Sequence, residues 1–142
     1  MTGQTVIVRR MLAASCEEVF DAWLDAEGMR EWMCPGPVTH SEVALDPRVG
    51  GQFRIIMMAS GAQFVNTGEF RVLVRPVKLQ FTWNSSRWEN QETLVTVDLV
   101  PRGEECELIL THERFPTDHS AGQLVKGWTE MLEKLGRRLE RA

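Results

Sequence analysis

The stretch TDHSAGQLVKGWTEMLEKLGRRLER, residues 117–141, decides the fold that the sequence predicts. Its apolar residues recur at spacings of three and four, which is the one-sided stripe of an amphipathic helix. Thr117 or Asp118 can cap its start, and the basic residues of its last turns suit the negative end of the helix dipole. Such a helix runs roughly 35 Å and needs an equally long apolar surface to lie on. The stripe consists of Leu124, Trp128, Met131, Leu135 and Leu139.

Upstream of this helix, the sequence predicts one strand, two short helices and six further strands. The β-branched residues at 5–11 indicate the first strand. Ser15, with Glu18 three residues later, forms a capping box for one helix, and a second helix is expected at 26–32. Short segments between Gly- and Pro-rich turns then indicate an antiparallel meander. We expect its strands at 38–45, 52–58, 64–74, 78–83, 93–100 and 107–111.

Apolar and polar residues alternate along these strands, which predicts a sheet with one dry face and one wet face. Thr82 and Thr96 are among the polar residues expected on the wet face. The C-terminal helix is the one predicted element long enough to cover the dry face. The predicted class is therefore α+β, a curved antiparallel sheet wrapped around a long C-terminal helix in the order β-α-α-β6-α. The dry face carries Phe53, Ile55, Met57, Leu79, Phe81, Trp83, Val95, Val97, Leu99, Leu108, Leu110 and His112.

Composition and charge argue against several classes of protein. At 142 residues, the chain is expected to form a single domain over 1–142. Its formal net charge of −4, without a basic stripe upstream of the last helix turns, argues against nucleic-acid binding. No apolar run approaches about 18 residues, so no membrane span is predicted. The N-terminus lacks the basic and apolar regions of a signal peptide, so a cytoplasmic location is expected.

The cysteines and histidines predict neither a disulfide framework nor a metal site. Cys16, Cys34 and Cys106 are scattered and odd in number, which fits free thiols in a reducing compartment. Prolines separate Cys34 from His40, so a buried apolar role for the cysteine is favoured over a catalytic pair. The chain's histidines share no ligand spacing, and no hydrolase, P-loop or dinucleotide motif is present. We therefore assign no catalytic residue, metal ligand or cofactor.

The sequence is compatible with two interpretations of His112. It ends the predicted dry face of the last strand and could bind or protonate a ligand at one end of a cavity. The interpretation we favour is a structural histidine that fixes the crossover from strand to helix with its ring hydrogen-bonded to the backbone, since a lone histidine rarely makes a site.

The large apolar side chains of the dry face could line a ligand pocket or could fill the core completely. We lean towards a cavity, because aromatic and methionine side chains make adaptable pocket walls. Trp88, in a polar loop, is expected to cover the cavity entrance or to contact a second subunit. Gly127, beside Trp128, could let a strand or ligand approach the helix backbone. On the outer face of the helix, Glu130–Lys134 and Glu133–Arg137 are expected to form solvated i,i+4 pairs.

Several segments, in order and over nearly the whole chain, resemble one family. Together they resemble the SRPBCC (START-like, helix-grip) superfamily, and within it the branch named for a homologous domain of the activator of the heat-shock chaperone ATPase. One departure is Trp32-Met33-Cys34-Pro35, where related chains commonly have paired tryptophans before the proline, which alters one wall of the expected cavity mouth. The segments are VFDAW at 19–23, Trp32 with Pro35, GGQFR at 50–54, TGEF at 67–70, LQFTW at 79–83, LILTHERFP at 108–116 and Gly127-Trp128.

The resemblance implies a binding module that holds an apolar or amphipathic small molecule between the sheet and the long helix. Alternatives are an enzyme of the same fold, using His112 with Glu113 or Glu69, and a co-chaperone-like interaction domain. The sequence does not support a chaperone partner, because the chain has no room for the co-chaperone's additional domain. A homodimer and a link to the stress response are further expectations. The expected ligand-binding residues are Trp32, Phe53, Ile55, Met57, Phe70, Phe81, Trp83, His112, Trp128, Met131 and Leu135.

Overall fold

A computed structural model describes residues 4–86, 92–115 and 119–140, without the side chains of residues 4, 115 and 119–121. Within these ranges the element order agrees with the order predicted from the sequence, and most strands extend one to four residues further at an end. The elements are β1 (Gln4–Leu12), α1 (Cys16–Ala22), α2 (Ala26–Trp32), β2 (Val38–Leu45), β3 (Gln52–Ala59), β4 (Ala62–Val74), β5 (Lys78–Ser85), β6 (Glu92–Arg102), β7 (Glu105–Phe115) and α3 (His119–Glu140).

The strands form one seven-stranded antiparallel sheet in the order β1-β7-β6-β5-β4-β3-β2. Its curvature places α3 against β1 and α2, while α1 packs on β6 and β7. The predicted α+β helix-grip fold is confirmed, with the sheet curled around the C-terminal helix. Among the described residues, no helix combines the length and the hydropathy needed to cross a membrane.

The helix α3 presents the apolar stripe expected from its sequence. Its buried apolar side chains are Leu124, Trp128, Met131, Leu132 and Leu135, and Leu139 is half-buried. The cap expected at Thr117 or Asp118 lies outside the described residues. The organising role of this helix follows from that burial, because its long apolar face covers the concave side of the sheet.

The capping box at the start of α1 is confirmed. The backbone N–H of Glu18 donates to Ser15 Oγ at 3.1 Å, and the N–H of Ser15 donates to Glu18 Oε1 at 3.1 Å. These bonds satisfy backbone groups that the helix leaves without a partner, which explains why a helix of only seven residues begins at Cys16.

The dry face is buried as expected, but the wet face differs from the prediction at two positions. Thr82 and Thr96 are buried on that face rather than exposed. The hydroxyl oxygen of Thr82 accepts from the N–H of Glu69 at 2.9 Å, and that of Thr96 accepts from Gln80 Nε2 at 3.1 Å. These hydrogen bonds and neighbouring side chains cover both hydroxyls, which strict alternation does not predict.

Gly68 in β4 lies where the sheet leaves no room for a side chain. A Cβ atom there would lie 2.0 Å from the carbonyl oxygen of Thr82 and 2.5 Å from the Phe53 ring. The neighbouring backbone therefore requires glycine at this position.

Candidate functional site

Aromatic rings fill the centre of the domain between the sheet and the helices. Trp23 meets Trp32 edge-on with 4.9 Å between ring centroids, and Phe53 meets Phe81 in the same way at 5.5 Å. Trp23, Phe53 and Phe81 line a void of only about 10 Å³, near the minimum that holds one water molecule. This part of the interior is packed.

A groove of about 270 Å³ opens beside this packed centre. We call it the strap groove, because one wall is the segment Cys34–Pro37 between α2 and β2, here termed the strap. The floor comes from β2, β3, β4 and β5, and the opposite wall is the first half of α3. Most side chains that line it are apolar, namely Pro35, Pro37, Val38, Met57, Phe64, Trp83, Leu124, Trp128 and Met131.

Two side chains of α3 hold the strap against the helix. Glu130 Oε1 accepts from the N–H of Gly36 at 3.0 Å, and Lys134 Nζ donates to the carbonyl oxygen of Cys34 at 2.5 Å. Gly36 adopts a φ of 57°, a left-handed conformation that favours glycine. The predicted Glu130–Lys134 pair is therefore replaced by two bonds to the strap backbone. The i,i+4 spacing serves them because it places both side chains on one face of α3.

The other predicted details of α3 gave mixed outcomes. The Glu133–Arg137 pair is present, with 3.8 Å between charged atoms. Gly127 does lie beside the strap, but a Cβ atom there would be 3.6 Å from Pro35 Cβ, which is ordinary van der Waals contact. The close approach at Gly127 therefore does not by itself require glycine.

The groove also offers a few polar atoms. Asn66 is buried in its floor, and its Nδ2 donates to the carbonyl oxygens of Ile55 and Phe64 at 3.3 and 3.4 Å. With both amide hydrogens used, the side-chain oxygen of Asn66 is the group that can accept a hydrogen bond from a ligand. The exposed Lys126 supplies a cation at the rim. A few polar groups in an otherwise apolar groove are typical of small-molecule sites.

His112 does not line the groove and is fully buried beneath it. Trp128 Nε1 donates a hydrogen bond to His112 Nδ1 at 3.1 Å. On the other side of the ring, His112 Nε2 lies 2.8 Å from Thr93 Oγ1. The Thr93 hydroxyl in turn donates to the carbonyl oxygen of Trp83 at 2.5 Å. Because an indole N–H can only donate, Nδ1 must be the acceptor and Nε2 must carry the proton. Burial lowers the pKa of His112 to about 3, so the ring stays neutral.

This arrangement supports the structural interpretation of His112, with the side chains of Trp128 and Thr93 as ring partners where backbone groups were expected. The imidazole connects β6, β7 and α3 through hydrogen bonds. Glu113 and Glu69, its expected acid–base partners, are half-buried, and Glu69 lines a separate cleft on the outer face of the sheet. The structure therefore does not bring the three side chains together at the groove.

The expected ligand-binding residues divide into three sets. Met57, Trp83, Trp128 and Met131 line the strap groove. Phe53, Ile55, Phe70 and Phe81 surround the small central void, and Trp32 packs on Trp23. His112 and Leu135 are fully buried and line neither space.

Sequence reasoning placed Cys34 and Pro35 at one wall of the cavity mouth, but it missed Gly36, Pro37, Phe64, Asn66 and Leu124 as parts of the groove. Leu124 belonged to the apolar stripe, and Phe64 and Asn66 lie on the same side of the strand as Phe70 by simple alternation, so all three could have been included. Trp88, which was expected to cover the cavity entrance or to contact a second subunit, lies outside the described residues. The side chain of His119 is not described either.

The remaining candidates for chemistry are dispersed. Cys34 Sγ contacts the carbonyl oxygen of Arg30 at 3.4 Å and Ser41 Oγ at 3.7 Å, while His40 is exposed on β2. In the described part of the chain, no group of three or more His, Cys, Asp or Glu side chains is placed to hold a metal ion.

A curved sheet closed by one long helix, with a groove between them, defines the class as a helix-grip domain. The profile of one family, described as activator of Hsp90 ATPase homolog 1-like protein, matches residues 13–140. The chain belongs to this family, and the predicted family resemblance is confirmed. No curated protein matches the sequence.

Solved structures agree with this fold. A Chromobacterium violaceum protein is 24% identical, with a TM-score of 0.85 over 96% of this chain and 98% of that one. A Rhodobacter sphaeroides protein is 20% identical, with a TM-score of 0.82 over 99% and 98%. DynU16, described as a putative protein in the dynemicin biosynthetic locus, is 20% identical, with a TM-score of 0.78 over 96% of this chain and 47% of that one. At these identities, the likeness shows the fold alone.

Proposed function

We propose that this domain binds an apolar or amphipathic small molecule in the strap groove. The observation that carries the proposal is an open groove of about 270 Å³ beside an aromatic centre whose void is only about 10 Å³. Trp83, Trp128, Met57 and Met131 give that groove large, adaptable apolar walls. Burying such surface against an apolar ligand contributes roughly 25 cal/mol per Å².

The polar atoms of the groove favour an amphipathic ligand over a pure hydrocarbon. A ligand that places its apolar part against Trp83 and Trp128 can donate a hydrogen bond to the Asn66 side-chain oxygen. An anionic group on the same ligand can reach Lys126 at the rim. The volume is slightly below the roughly 300–1,000 Å³ of typical ligand pockets, which favours a small molecule.

The first experiment is native mass spectrometry of the purified protein, followed by extraction and identification of any bound compound. Titration with 1-anilinonaphthalene-8-sulfonate and with laurate then measures binding of two amphipathic probes. We expect at least one of them to bind with saturation at one site.

A matched pair of substitutions tests whether the probe binds in the strap groove. Gly127 lines the groove, whereas a Cβ atom at Gly122, in the same helix, would meet nothing within 4 Å. Gly127→Leu should weaken probe binding at least about tenfold, because its side chain fills groove volume, and Gly122→Leu should leave binding unchanged. Equal binding by the wild type and Gly127→Leu, or a bare chain that binds neither probe, would contradict the proposal.

A further inference from the structure

The structure brings together two cysteines that lie 90 positions apart in the sequence. Cys16 Sγ and Cys106 Sγ are 2.8 Å apart, both residues are buried, and both thiols are free. Cys16 is the first residue of α1, and Cys106 lies near the start of β7, next to Leu12 of β1 and Pro101 of β6 in the sheet. The sulfurs therefore face each other across the contact between α1 and the sheet.

This separation lies between a bonded and an unbonded sulfur pair. A disulfide bond measures about 2.05 Å, so only a small approach separates these thiols from bonding distance. Cys34 provides an internal comparison, because the hydrogen-bond partners of its Sγ are oxygen atoms, of Arg30 and Ser41, and not a second thiol. Cys34 is therefore separate from the facing pair that Cys16 and Cys106 form.

We propose that Cys16 and Cys106 form a redox-sensitive dithiol site that reacts with a hydroperoxide and closes into a reversible intramolecular disulfide. In the first step, the Cys16 thiolate attacks one peroxide oxygen. The S–O bond forms as the O–O bond breaks, and the leaving oxygen takes up the proton from the Cys16 thiol to give water or an alcohol. Cys16 is then a sulfenic acid.

In the second step, the Cys106 sulfur attacks the Cys16 sulfur. The S–S bond forms as the S–O bond breaks, and the released hydroxide takes the Cys106 proton to leave as water. Two thiols lose two electrons and two protons, and the hydroperoxide accepts them. A small-molecule thiol reverses the reaction by exchange.

The environments of the two sulfurs explain why Cys16 is oxidised first and Cys106 attacks second. Cys106 is fully buried, and burial raises the pKa of its thiol to about 12, which keeps it protonated until its partner is oxidised. Cys16 retains slight exposure at the start of a seven-residue helix. We therefore expect slow oxidation that depends on local opening of α1.

The bond would connect α1 to the β6–β7 hairpin and close a long loop in the unfolded chain. Closing a loop of this length removes conformational entropy mainly from the unfolded state. The oxidised form should therefore be the more stable one, with a thermal midpoint roughly 5–15 °C higher.

The test treats the folded protein at micromolar concentration with hydrogen peroxide and then alkylates remaining thiols under denaturing conditions. We expect the mass to fall by two hydrogens before alkylation, one alkylated cysteine at Cys34, and a linked peptide pair containing Cys16 and Cys106. Dithiothreitol should restore three reactive thiols. Three alkylated thiols after peroxide, a disulfide that includes Cys34, or sulfinic acid without a disulfide would each overturn the proposal.

Two variants complete the test. Cys34→Ser should still lose two hydrogens, because the facing pair is intact. Cys106→Ser should instead stop at a sulfenic acid on Cys16 that dimedone traps, without any disulfide. The peptide map of the wild-type protein decides the proposal even where Cys106→Ser fails to fold.

Discussion

Trp128 Nε1 donates a hydrogen bond to His112 Nδ1 at 3.1 Å, and this bond determines which protonation state the buried imidazole can adopt. An indole N–H cannot accept, so a proton on His112 Nδ1 would face another donor. Trp128 also lines the strap groove, so one residue joins the groove wall to the buried polar network. The histidine supports the groove from beneath without lining it.

The first prediction concerns pH. The pKa of His112 is about 3 in the folded protein and near 6.5 in the unfolded chain, so the unfolded state takes up the proton first. The stability that depends on a neutral His112 is therefore fully present above about pH 6.5 and is lost as the pH falls towards 3. The free energy of unfolding should drop by about 2 kcal/mol between pH 7.5 and pH 5. Urea unfolding at several pH values measures this change.

His112→Gln should flatten the pH dependence, because an amide can still donate and accept but does not titrate in this range. Replacement of the exposed His40 by Gln is the matched control and should leave the dependence intact. An unchanged slope in His112→Gln would refute the assignment of the pH effect to His112.

The second prediction tests the core position of Trp128. Only 2% of its surface is exposed, and it contacts Trp23, Trp83 and His112. Trp128→Ala should lower the free energy of unfolding by about 3–5 kcal/mol, whereas the same change at the exposed Val125 should cost less than about 0.5 kcal/mol. Chemical denaturation checks both. A cost below about 1 kcal/mol at Trp128 would show that the indole is not an essential part of the core.

The third prediction contrasts two glycines. Gly68→Ala should destabilise the domain by about 2 kcal/mol or more, because its Cβ would overlap the Thr82 carbonyl oxygen and the Phe53 ring. Gly122→Ala should stabilise by roughly 0.5–1 kcal/mol, because alanine suits a helix and the added Cβ meets nothing. Thermal and urea unfolding of both variants measure the difference. An alanine tolerated at Gly68 would contradict the close approach of the Thr82 carbonyl oxygen and the Phe53 ring to this position.

The fourth prediction concerns the strap and depends on the proposed function. Glu130→Ala and Lys134→Met each remove one bond to the strap backbone. Each should weaken probe binding by about threefold to tenfold. A hydrogen bond that involves a charged group contributes roughly 1.5–3 kcal/mol, and only part of the free energy lost at the strap affects the binding of the probe. Fluorescence titration of the probe measures the change.

Glu133→Ala and Arg137→Met are the controls for the strap, because they disrupt an exposed pair on the same helix. These two variants should bind the probe like the wild type. If the strap variants bind equally well while Gly127→Leu does not, the groove is the site but the strap contacts do not shape it.

The agreement between sequence and structure is closest where one local pattern is sufficient. The capping box at Ser15 and Glu18, the helix at 26–32 and the strand at 38–45 follow from residues that are near one another in sequence. Agreement fails where a distant group competes, as when Gly36 and Cys34 draw Glu130 and Lys134 away from each other. Thr82 and Thr96 show the same effect, because partners on neighbouring strands bury their hydroxyls.

The sequence by itself determined the element order, the buried faces, the amphipathic C-terminal helix and the family, because these depend on periodicity, turn residues and short motifs. Only the tertiary structure decided how the apolar side chains divide between a packed centre and the strap groove. It alone gave His112 its hydrogen-bond partners and placed Cys16 against Cys106. The physical reason is that packing and pairing depend on side-chain volumes and atoms that meet only when strands and helices distant in sequence assemble.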